Sequence, residues 1–277
     1  PPVVVDAAIL PDLSRAAVAQ GVELPIHLKV DAGMGRQGTL PAGFMDLARV
    51  ARSLPGLRVA GVMAHFPMSE DRESTNSAEV LATFSRAAAG IAGLVDGRYC
   101  LHLANSGGLF YVAGARLDMV RLGIGLYGYY PDGAAGRAAA SDPLLRPVMR
   151  FATSVIQVRQ LPAGAGLGYN HLYTTTRPTT VAVLPVGYED GYLRILSNRA
   201  EVLLHGRRAR VIGRISMNLT LVDVTGNDGV RVGDEAVLLG RQGAEEITAD
   251  EIAGWMETIS YEVLCLFGRL NHREMTD

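Results

Sequence analysis

In the first half of the chain, short apolar runs alternate with longer stretches in which apolar residues recur every three or four positions. The short runs are typical of buried β-strands, and the periodic stretches are typical of amphipathic helices. The predicted strands are residues 25–30, 57–64, 99–103 and 117–122, and the predicted helices are residues 41–53 and 74–94. This alternation favours βα units around a parallel sheet.

Polar or glycine residues follow each predicted strand, at residues 31–38, His65, residues 105–108 and residues 121–125. In a (β/α)8 TIM barrel the loops after the strands converge on one face and carry the active site. A closed barrel needs eight strands, whereas about four are visible here. We therefore expect a partial barrel, its C-terminal half, with an N-terminal segment outside this chain supplying the remaining strands.

The pattern changes after a segment rich in Ala, Gly and Pro at residues 133–147. Beyond it, β-branched runs recur between glycine turns at residues 151–160, 180–185, 201–205, 208–212, 219–224 and 236–239. These runs predict a β domain. The predicted fold class is α/β plus β, with the partial TIM barrel at residues 1–140 and the C-terminal β domain at residues 141–277.

Composition narrows the class of protein. The 277 residues favour two domains, and 48% hydrophobic residues with a net charge of -2 indicate a soluble globular protein. Basic residues are dispersed and no run of about 18 apolar residues occurs, so neither nucleic acid nor a membrane is an expected partner. Cys100 and Cys265 are far apart in apolar surroundings, which predicts buried free thiols in a reducing cytoplasm and no metal site.

Two positions suggest an anion site. Gly123 and Ile124 lie between a predicted strand and an apparent helix, where free backbone N–H groups and the helix dipole favour an anion. Ser106 offers a hydroxyl after a neighbouring strand. A glycine after a strand is more often only a turn, so these residues alone leave both interpretations open.

Seven motifs, in order along the chain, resemble the alanine racemase family. They are HLKVDAGMGRQG (27–38), MAHF (63–66), HLANS (102–106), VRLGIGLYG (120–128), GYEDGY (187–192), GRISM (213–217) and SYEV (260–263). The family more often has Thr where Ala32 stands, Asp where Asn218 stands, and Ser-Tyr-Gly at the positions of Gly168, Tyr169 and Asn170.

The resemblance implies a fold-type III pyridoxal-phosphate enzyme that interconverts L- and D-alanine by a two-base mechanism. Removing an α-proton from an amino acid requires an electron sink, which pyridoxal phosphate supplies. One base is then Tyr169, and the other is the lysine that carries the cofactor. In the family that lysine lies on an earlier strand, and Lys29 is the only lysine here. The chain, which starts at Pro1 without an initiator methionine, is therefore expected to lack the cofactor lysine.

The resemblance also assigns the remaining site residues. Arg36 and Met217 are implied at the substrate carboxylate, and Lys29 is a candidate for carbamylation that would orient Arg36, with an ordinary salt bridge to Asp31 as the alternative. Arg121 is implied at the pyridine nitrogen, and His65 is implied as the hydrogen-bonding neighbour of Tyr169. The full set implied to bind the cofactor is His65, Asn105, Ser106, Arg121, Gly123, Ile124 and Tyr261. The implied entrance residues are Tyr188, Asp190 and Arg194.

In the family the C-terminal domain reaches the barrel of a second subunit, so a homodimer with shared active sites is implied. The product would be D-alanine for a bacterial cell wall. Two alternatives stay open: a racemase for a broader set of amino acids, and a truncated, non-catalytic module that keeps only the cofactor contacts. A related decarboxylase is less favoured, because residues 31–38 and Tyr169 fit the racemase pattern.

Overall fold

The computed structural model describes residues 1–95, 97–139 and 145–275, which fall into two compact units. Unit 1 comprises Pro1–Leu126 and Tyr130–Gly136, and unit 2 comprises Tyr127–Tyr129 and Arg137–Asp277. The predicted domain boundary near residue 140 lies outside the described residues.

Unit 1 is built from parallel strands joined by helices. Its strands are β1 (Val3–Val4), β2 (Leu24–Lys29), β3 (Leu57–Met63) and β4 (Cys100–His102). Its helices are α1 (Leu10–Ala19), α2 (Pro41–Ser53), α3 (Asn76–Ile91) and α4 (Ser106–Tyr111). The strands pair in chain order and all pairs are parallel, as predicted for part of a barrel. The short strand β1 and the helix α1 were not predicted.

The hydrophobic core of unit 1 lies between the sheet and the helices. Strand residues Ile26 and Leu28 are fully buried, and so are Phe44 of α2 and Phe84 of α3. Each helix buries its apolar face against the parallel strands and leaves its polar face to solvent, which is the arrangement that its sequence period requires. The packing aligns the C-terminal ends of β2, β3 and β4 at one edge of the sheet.

The predicted strand at residues 117–122 is wrong. Leu117 has a left-handed φ of 47°, which interrupts an extended backbone. Asp118 accepts the Leu101 N–H through its side chain, at 2.9 Å, where a strand would offer a backbone carbonyl. The segment thus follows β4 through isolated hydrogen bonds, including Arg121 N–H to the Ala104 carbonyl at 2.9 Å, without forming a ladder.

Unit 2 contains a mostly antiparallel β domain. Its strands are β5 (Phe151–Ser154), β6 (Gln157–Leu161), β7 (Gly166–Leu167), β8 (Tyr173–Thr174), β9 (Thr179–Leu184), β10 (Glu201–Leu204), β11 (Arg207–Val211), β12 (Thr220–Asp223), β13 (Glu235–Gln242) and β14 (Glu245–Ile247). The main sheet has the order β14-β13-β10-β11-β12-β9-β6, with β5 also pairing to β13. A short helix, α5 (Ala134–Ala139), begins in unit 1 and ends in unit 2. Helices α6 (Ala249–Met256) and α7 (Ser260–Leu270) follow the strands.

Two expectations for this region need correction. The single run predicted at residues 151–160 is two strands, because the chain changes partners between them: Val155 N–H donates to the Asp234 carbonyl and Ile156 N–H donates to the Val183 carbonyl. The helices α6 and α7 were not predicted. Thr248 nevertheless carries a helix-start signal, since its hydroxyl accepts from Glu251 N–H at 3.1 Å.

The cysteine prediction is partly wrong. Cys100 and Cys265 are both free, but Cys100 is only half-buried and Cys265 is exposed. Cys265 lies on α7, where apolar neighbours in sequence point to a different face of the helix. Within the described ranges, no helix is long and apolar enough to cross a membrane.

Candidate active site

A partly buried hydrogen-bond network surrounds the guanidinium of Arg121 at the C-terminal edge of the unit 1 sheet. Its Nη2 donates to the Ala64 carbonyl at 2.8 Å and to the Leu103 carbonyl at 3.1 Å, just beyond β3 and β4. Its Nη1 lies 2.8 Å from His102 Nδ1, and its Nη2 lies 3.2 Å from His65 Nδ1. The cation is thereby fixed across the ends of two neighbouring strands.

The histidines around Arg121 are held neutral. Burial lowers the pKa of His102 to about 4, and the positive charge of Arg121 acts in the same direction. Burial and then Arg121 likewise lower the pKa of His65 to about 4. Both rings are therefore neutral at pH 7, and the fixed positive charge of this pocket resides on the guanidinium, which keeps its proton.

Lys29 ends β2 and is 5% exposed. Burial lowers the pKa of its amine, and the positive charges of Arg36 and then Arg121 lower it as well. A buried amine with cationic neighbours has a larger neutral fraction than a free lysine, which carbamylation requires. Arg36 itself lies on the exposed part of the loop at residues 31–38, and its charge also lowers the pKa of His65.

Asp31 organises the loop that carries Arg36. Its Oδ1 accepts from the backbone N–H groups of Gly33, at 3.1 Å, and Gly35, at 3.0 Å. Burial raises the pKa of Asp31, but these backbone donors outweigh burial and the net pKa is lowered. Gly38 closes the loop with a φ of +134°, and a Cβ there would lie 2.6 Å from Asp31 N.

Ser106 and the segment after Arg121 meet where the anion site was predicted. The Ser106 hydroxyl, on a residue only 3% exposed, accepts from Gly123 N–H at 3.1 Å and from Gly125 N–H at 3.2 Å. Asn105 caps α4 by accepting from Gly108 N–H at 2.9 Å and also accepts from Ser69 Oγ at 2.8 Å. A 3-10 helix starts at Ile124, so the predicted helix exists, although no strand precedes it.

The expectation of a free N–H at Gly123 is wrong, because that N–H donates to Ser106 Oγ. The hydroxyl hydrogen of Ser106 and the Arg121 cation nevertheless fit a phosphorylated pyridine. The hydrogen-bond partners of Arg121 and Ser106 given above are neutral, and the fixed charge is positive, which suits an anionic phosphate ester. A Cβ added at Gly123 would meet no heavy atom within 4 Å, so the backbone there borders open space. Among the described residues, no group of three or more His, Cys, Asp or Glu side chains could hold a metal ion.

The other predicted site residues lie in unit 2. Tyr169 is 66% exposed and starts a 3-10 helix after Gly168. Gly168 has a φ of +68°, and a Cβ there would lie 3.0 Å from Arg214 N, so both features favour glycine. Asn170 has a left-handed φ of 58°, which asparagine tolerates better than most residues. Tyr169 is therefore an exposed residue between two left-handed positions, Gly168 and Asn170.

Two of the implied entrance residues, Tyr188 and Asp190, lie on a loop that is hydrogen-bonded to the loop of Met217. The Met217 carbonyl accepts from Glu189 N–H at 3.0 Å, and Tyr188 N–H donates to the Ser216 carbonyl at 3.2 Å. Asp190 Oδ2 accepts from Gly187 N–H at 2.9 Å and closes the turn that carries Tyr188. Arg194 is exposed at the start of the next 3-10 helix, and Tyr261 lies on α7.

The structure thus divides the predicted site residues between the units. Unit 1 holds Lys29, Arg36, His65, Asn105, Ser106, Arg121, Gly123 and Ile124, and unit 2 holds Tyr169, Tyr188, Asp190, Arg194, Met217 and Tyr261. His27 and His102 belong to the motifs quoted above, but the sequence predicted no role for either residue. The sequence nevertheless contains a signal for them, because a polar side chain in an apolar strand is expected to need a hydrogen-bond partner.

Family models match both parts of the chain. The model "Alanine racemase, N-terminal domain" matches residues 1–131, and "Alanine racemase, C-terminal domain" matches residues 148–275. The alanine racemase of Thermodesulfovibrio yellowstonii is 40% identical over 267 residues, which are 96% of this chain and 69% of that protein. The alanine racemase of Symbiobacterium thermophilum is 43% identical, over 93% of this chain and 67% of that protein.

Solved structures agree with these matches. Alanine racemase from Streptomyces coelicolor A3(2) has a TM-score of 0.87 at 34% identity, covering 96% of this chain and 70% of that one. Alanine racemase from Bartonella henselae, with covalently bound pyridoxal phosphate, has a TM-score of 0.82 at 28% identity, covering 97% and 71%. The chain spans about two thirds of the length of its curated relatives, for example 66% of the Halothermothrix orenii protein.

Proposed function

Because the chain belongs to the alanine racemase family, we propose that the whole protein interconverts L- and D-alanine with pyridoxal phosphate as cofactor. The family depends on this cofactor, and a structural relative carries it covalently bound. The observation that carries the proposal is the Arg121 network, in which one fixed cation lies among neutral histidines at the carboxyl ends of parallel strands. That is where a barrel of this kind holds its reactants.

When bound, pyridoxal phosphate supplies the electron sink for the charge left by removal of the α-proton. Ser106, Gly123 and Ile124 would hold its phosphate, with Tyr261 as a further contact and Asn105 fixing the start of α4. Arg121 would hold the ring nitrogen. A permanent cation at this position disfavours protonation of that nitrogen, which limits the electron sink and so favours proton return over side reactions. The support is the orientation of Arg121 by two strand-end carbonyls.

Arg36 would bind the substrate carboxylate. Its charge lies close enough to Lys29 and His65 to lower the pKa of both, so it belongs to the same electrostatic neighbourhood. Carbamylated Lys29 would be an anion able to orient Arg36 through charge-assisted hydrogen bonds. The buried position of Lys29 supports this assignment, because it favours the neutral amine that reacts with carbon dioxide.

Tyr169 would hold and return one proton at the substrate α-carbon through its phenol oxygen. Its exposed position between two left-handed residues supports a role toward a surface outside unit 2. We therefore propose a homodimer in which Tyr169 and the Met217 backbone of one subunit complete the site of the other, with His65 as the hydrogen-bonding neighbour of the phenol. Tyr188, Asp190 and Arg194 would line the entrance to that shared site.

The second base is proposed to lie outside residues 1–277, on the lysine that carries the cofactor in the full-length protein. Borohydride reduction of the full-length holoenzyme, followed by digestion and mass analysis, locates the cofactor adduct. We expect the adduct on a lysine other than Lys29. An adduct on Lys29 would overturn this assignment. We place the enzyme in the cytoplasm, where D-alanine would be made for peptidoglycan, as the family role implies.

The role of Tyr169 is tested by Tyr169→Phe in the full-length protein, with Tyr173→Phe as the matched control in the neighbouring strand β8. We expect Tyr169→Phe to lose alanine racemisation while it retains the cofactor absorbance. Tyr173→Phe should retain both. A Tyr169→Phe enzyme that racemises alanine at the wild-type rate would contradict the assignment.

A further inference from the structure

Buried His102, which contacts Arg121, pairs with half-buried His27. His27 Nδ1 lies 2.7 Å from His102 Nε2, and the ring centroids are 4.8 Å apart at an angle of 60°. His27 lies on β2 and His102 ends β4, so the contact passes over the intervening strand β3. Neither ring contacts solvent freely, since His102 is 2% exposed and His27 is half-buried.

Gly61 on β3 makes this contact possible. It is the register partner of His27, next to a bulge in the pairing of β2 and β3. A Cβ at Gly61 would lie 2.8 Å from three atoms of the His27 ring, closer than real Cβ contacts allow. The imidazole of His27 therefore occupies the space that any other side chain at residue 61 would need.

The direction of each hydrogen bond follows from the donors available. Arginine can only donate, so His102 Nδ1 must accept from Arg121 Nη1 at 2.8 Å. The proton of neutral His102 is then on Nε2, and it points at His27. His27 must accept it at Nδ1, which leaves its own proton on Nε2. The lowered pKa of both rings, caused first by burial, agrees with two neutral histidines.

We propose that His27 is a positioning residue for Arg121: by accepting from His102 Nε2, it holds the His102 ring so that Nδ1 faces the guanidinium. Without this acceptor, the buried Nε2–H of His102 has no hydrogen-bond partner. The His102 ring can then find another partner only by turning away from Arg121. Arg121 would keep its two carbonyl contacts but lose the one that fixes Nη1. The part of the proposal that concerns catalysis rests on the proposed function of Arg121 at the cofactor ring.

The test compares His27→Asn with His27→Leu in the full-length holoenzyme. Asparagine keeps an acceptor atom bonded to Cγ, where His27 has Nδ1, whereas leucine has similar bulk and no acceptor. The first readout is the ¹⁵N spectrum of histidine-labelled protein at neutral pH. We expect His102 protonated only at Nε2 in the wild type and in His27→Asn, and averaging or loss of this signature in His27→Leu.

The second readout is kinetic. We expect His27→Leu to lower kcat for alanine by about tenfold or more through misplacement of Arg121, with KM nearly unchanged, and His27→Asn to restore most of the loss. A changed absorbance of the bound cofactor should accompany the loss. Equal activity in His27→Leu and wild type, or equal loss in both variants, would overturn the positioning role.

The wild-type spectrum tests the hydrogen-bond direction even if a variant does not fold. A wild-type His102 protonated at Nδ1, or at both nitrogens, would refute donation from His102 Nε2 to His27. If the wild type fails to racemise alanine, the proposed function fails, whereas the tautomer of His102 is still decided by the spectrum.

Discussion

Acidification should destabilise unit 1 through His102. Its folded-state pKa of about 4 lies below the ordinary value of 6.5, because burial and Arg121 disfavour the charged ring. The unfolded chain therefore binds a proton at a higher pH than the folded protein does. The contribution of His102 to stability is fully present above about pH 6.5 and is lost as the pH falls toward 4.

The size of the effect follows from the difference between the two pKa values. A drop from 6.5 to about 4 corresponds to about 3 kcal/mol of unfolding free energy at most. About 2 kcal/mol of this is lost by pH 4.5. Protonation also replaces the acceptor at Nδ1 with a donor facing Arg121, so the 2.8 Å hydrogen bond becomes a repulsive contact.

The assay is urea unfolding between pH 7 and 4.5 of wild type, His102→Gln and a control, His272→Gln. The side chain of His272 is 85% exposed, so this variant serves as the surface-histidine control. His102→Gln should be less stable at pH 7 but lose about 2 kcal/mol less than wild type on acidification. Parallel pH profiles for wild type and His102→Gln would show that His102 does not cause the loss of stability in acid.

Three further substitutions test the packing and the cofactor cradle. Tyr192→Phe removes a fully buried hydroxyl that has no hydrogen-bond partner among the described residues, so the unfolding free energy should rise by about 1 kcal/mol; a loss of similar size would contradict this. Ser106→Ala removes the acceptor for two backbone N–H groups and should weaken pyridoxal-phosphate affinity in a fluorescence titration, whereas the exposed Ser53→Ala should not. Gly38→Ala should lower the melting temperature more than Gly21→Ala, because both have positive φ but only Gly38 has backbone within 2.6 Å of the added Cβ; equal shifts would argue against that contact.

The sequence predicted the elements that depend on interactions between residues close together in the chain. Helix α2 begins and ends at the predicted residues, since Pro41 favours the first helical turn and the apolar spacing faces one side. Residues 117–122 look like a strand by composition, but Asp118 competes for the strand hydrogen bond through its side chain. That competition depends on the position of Leu101, 17 residues earlier, and no local pattern encodes it.

The candidate site also contains one contact between residues singled out from the sequence and one contact that the sequence did not predict. Ser106 and Gly123 were linked to an anion site by their positions after predicted strands, with a plain turn left open. In the structure a hydrogen bond joins them at 3.1 Å, although residues 117–122 before Gly123 form no strand. The pairing of His27 with His102 spans 75 residues and depends on the absence of a side chain at Gly61, whose place the His27 ring takes in the folded sheet. The alternation of side chains along β2 does place His27 and Lys29 on one face of the sheet. The sequence therefore indicates the face on which His27 lies but not its partner.

Racemisation of alanine by the full-length protein is measured directly by starting from each pure enantiomer and following both by chiral chromatography with pyridoxal phosphate present. Because L- and D-alanine are mirror images, both reactions should converge on equal amounts of the two. Borohydride-treated protein should show no conversion. No conversion by the untreated full-length holoenzyme, or faster conversion of another amino acid than of alanine, would contradict the proposed alanine racemase function.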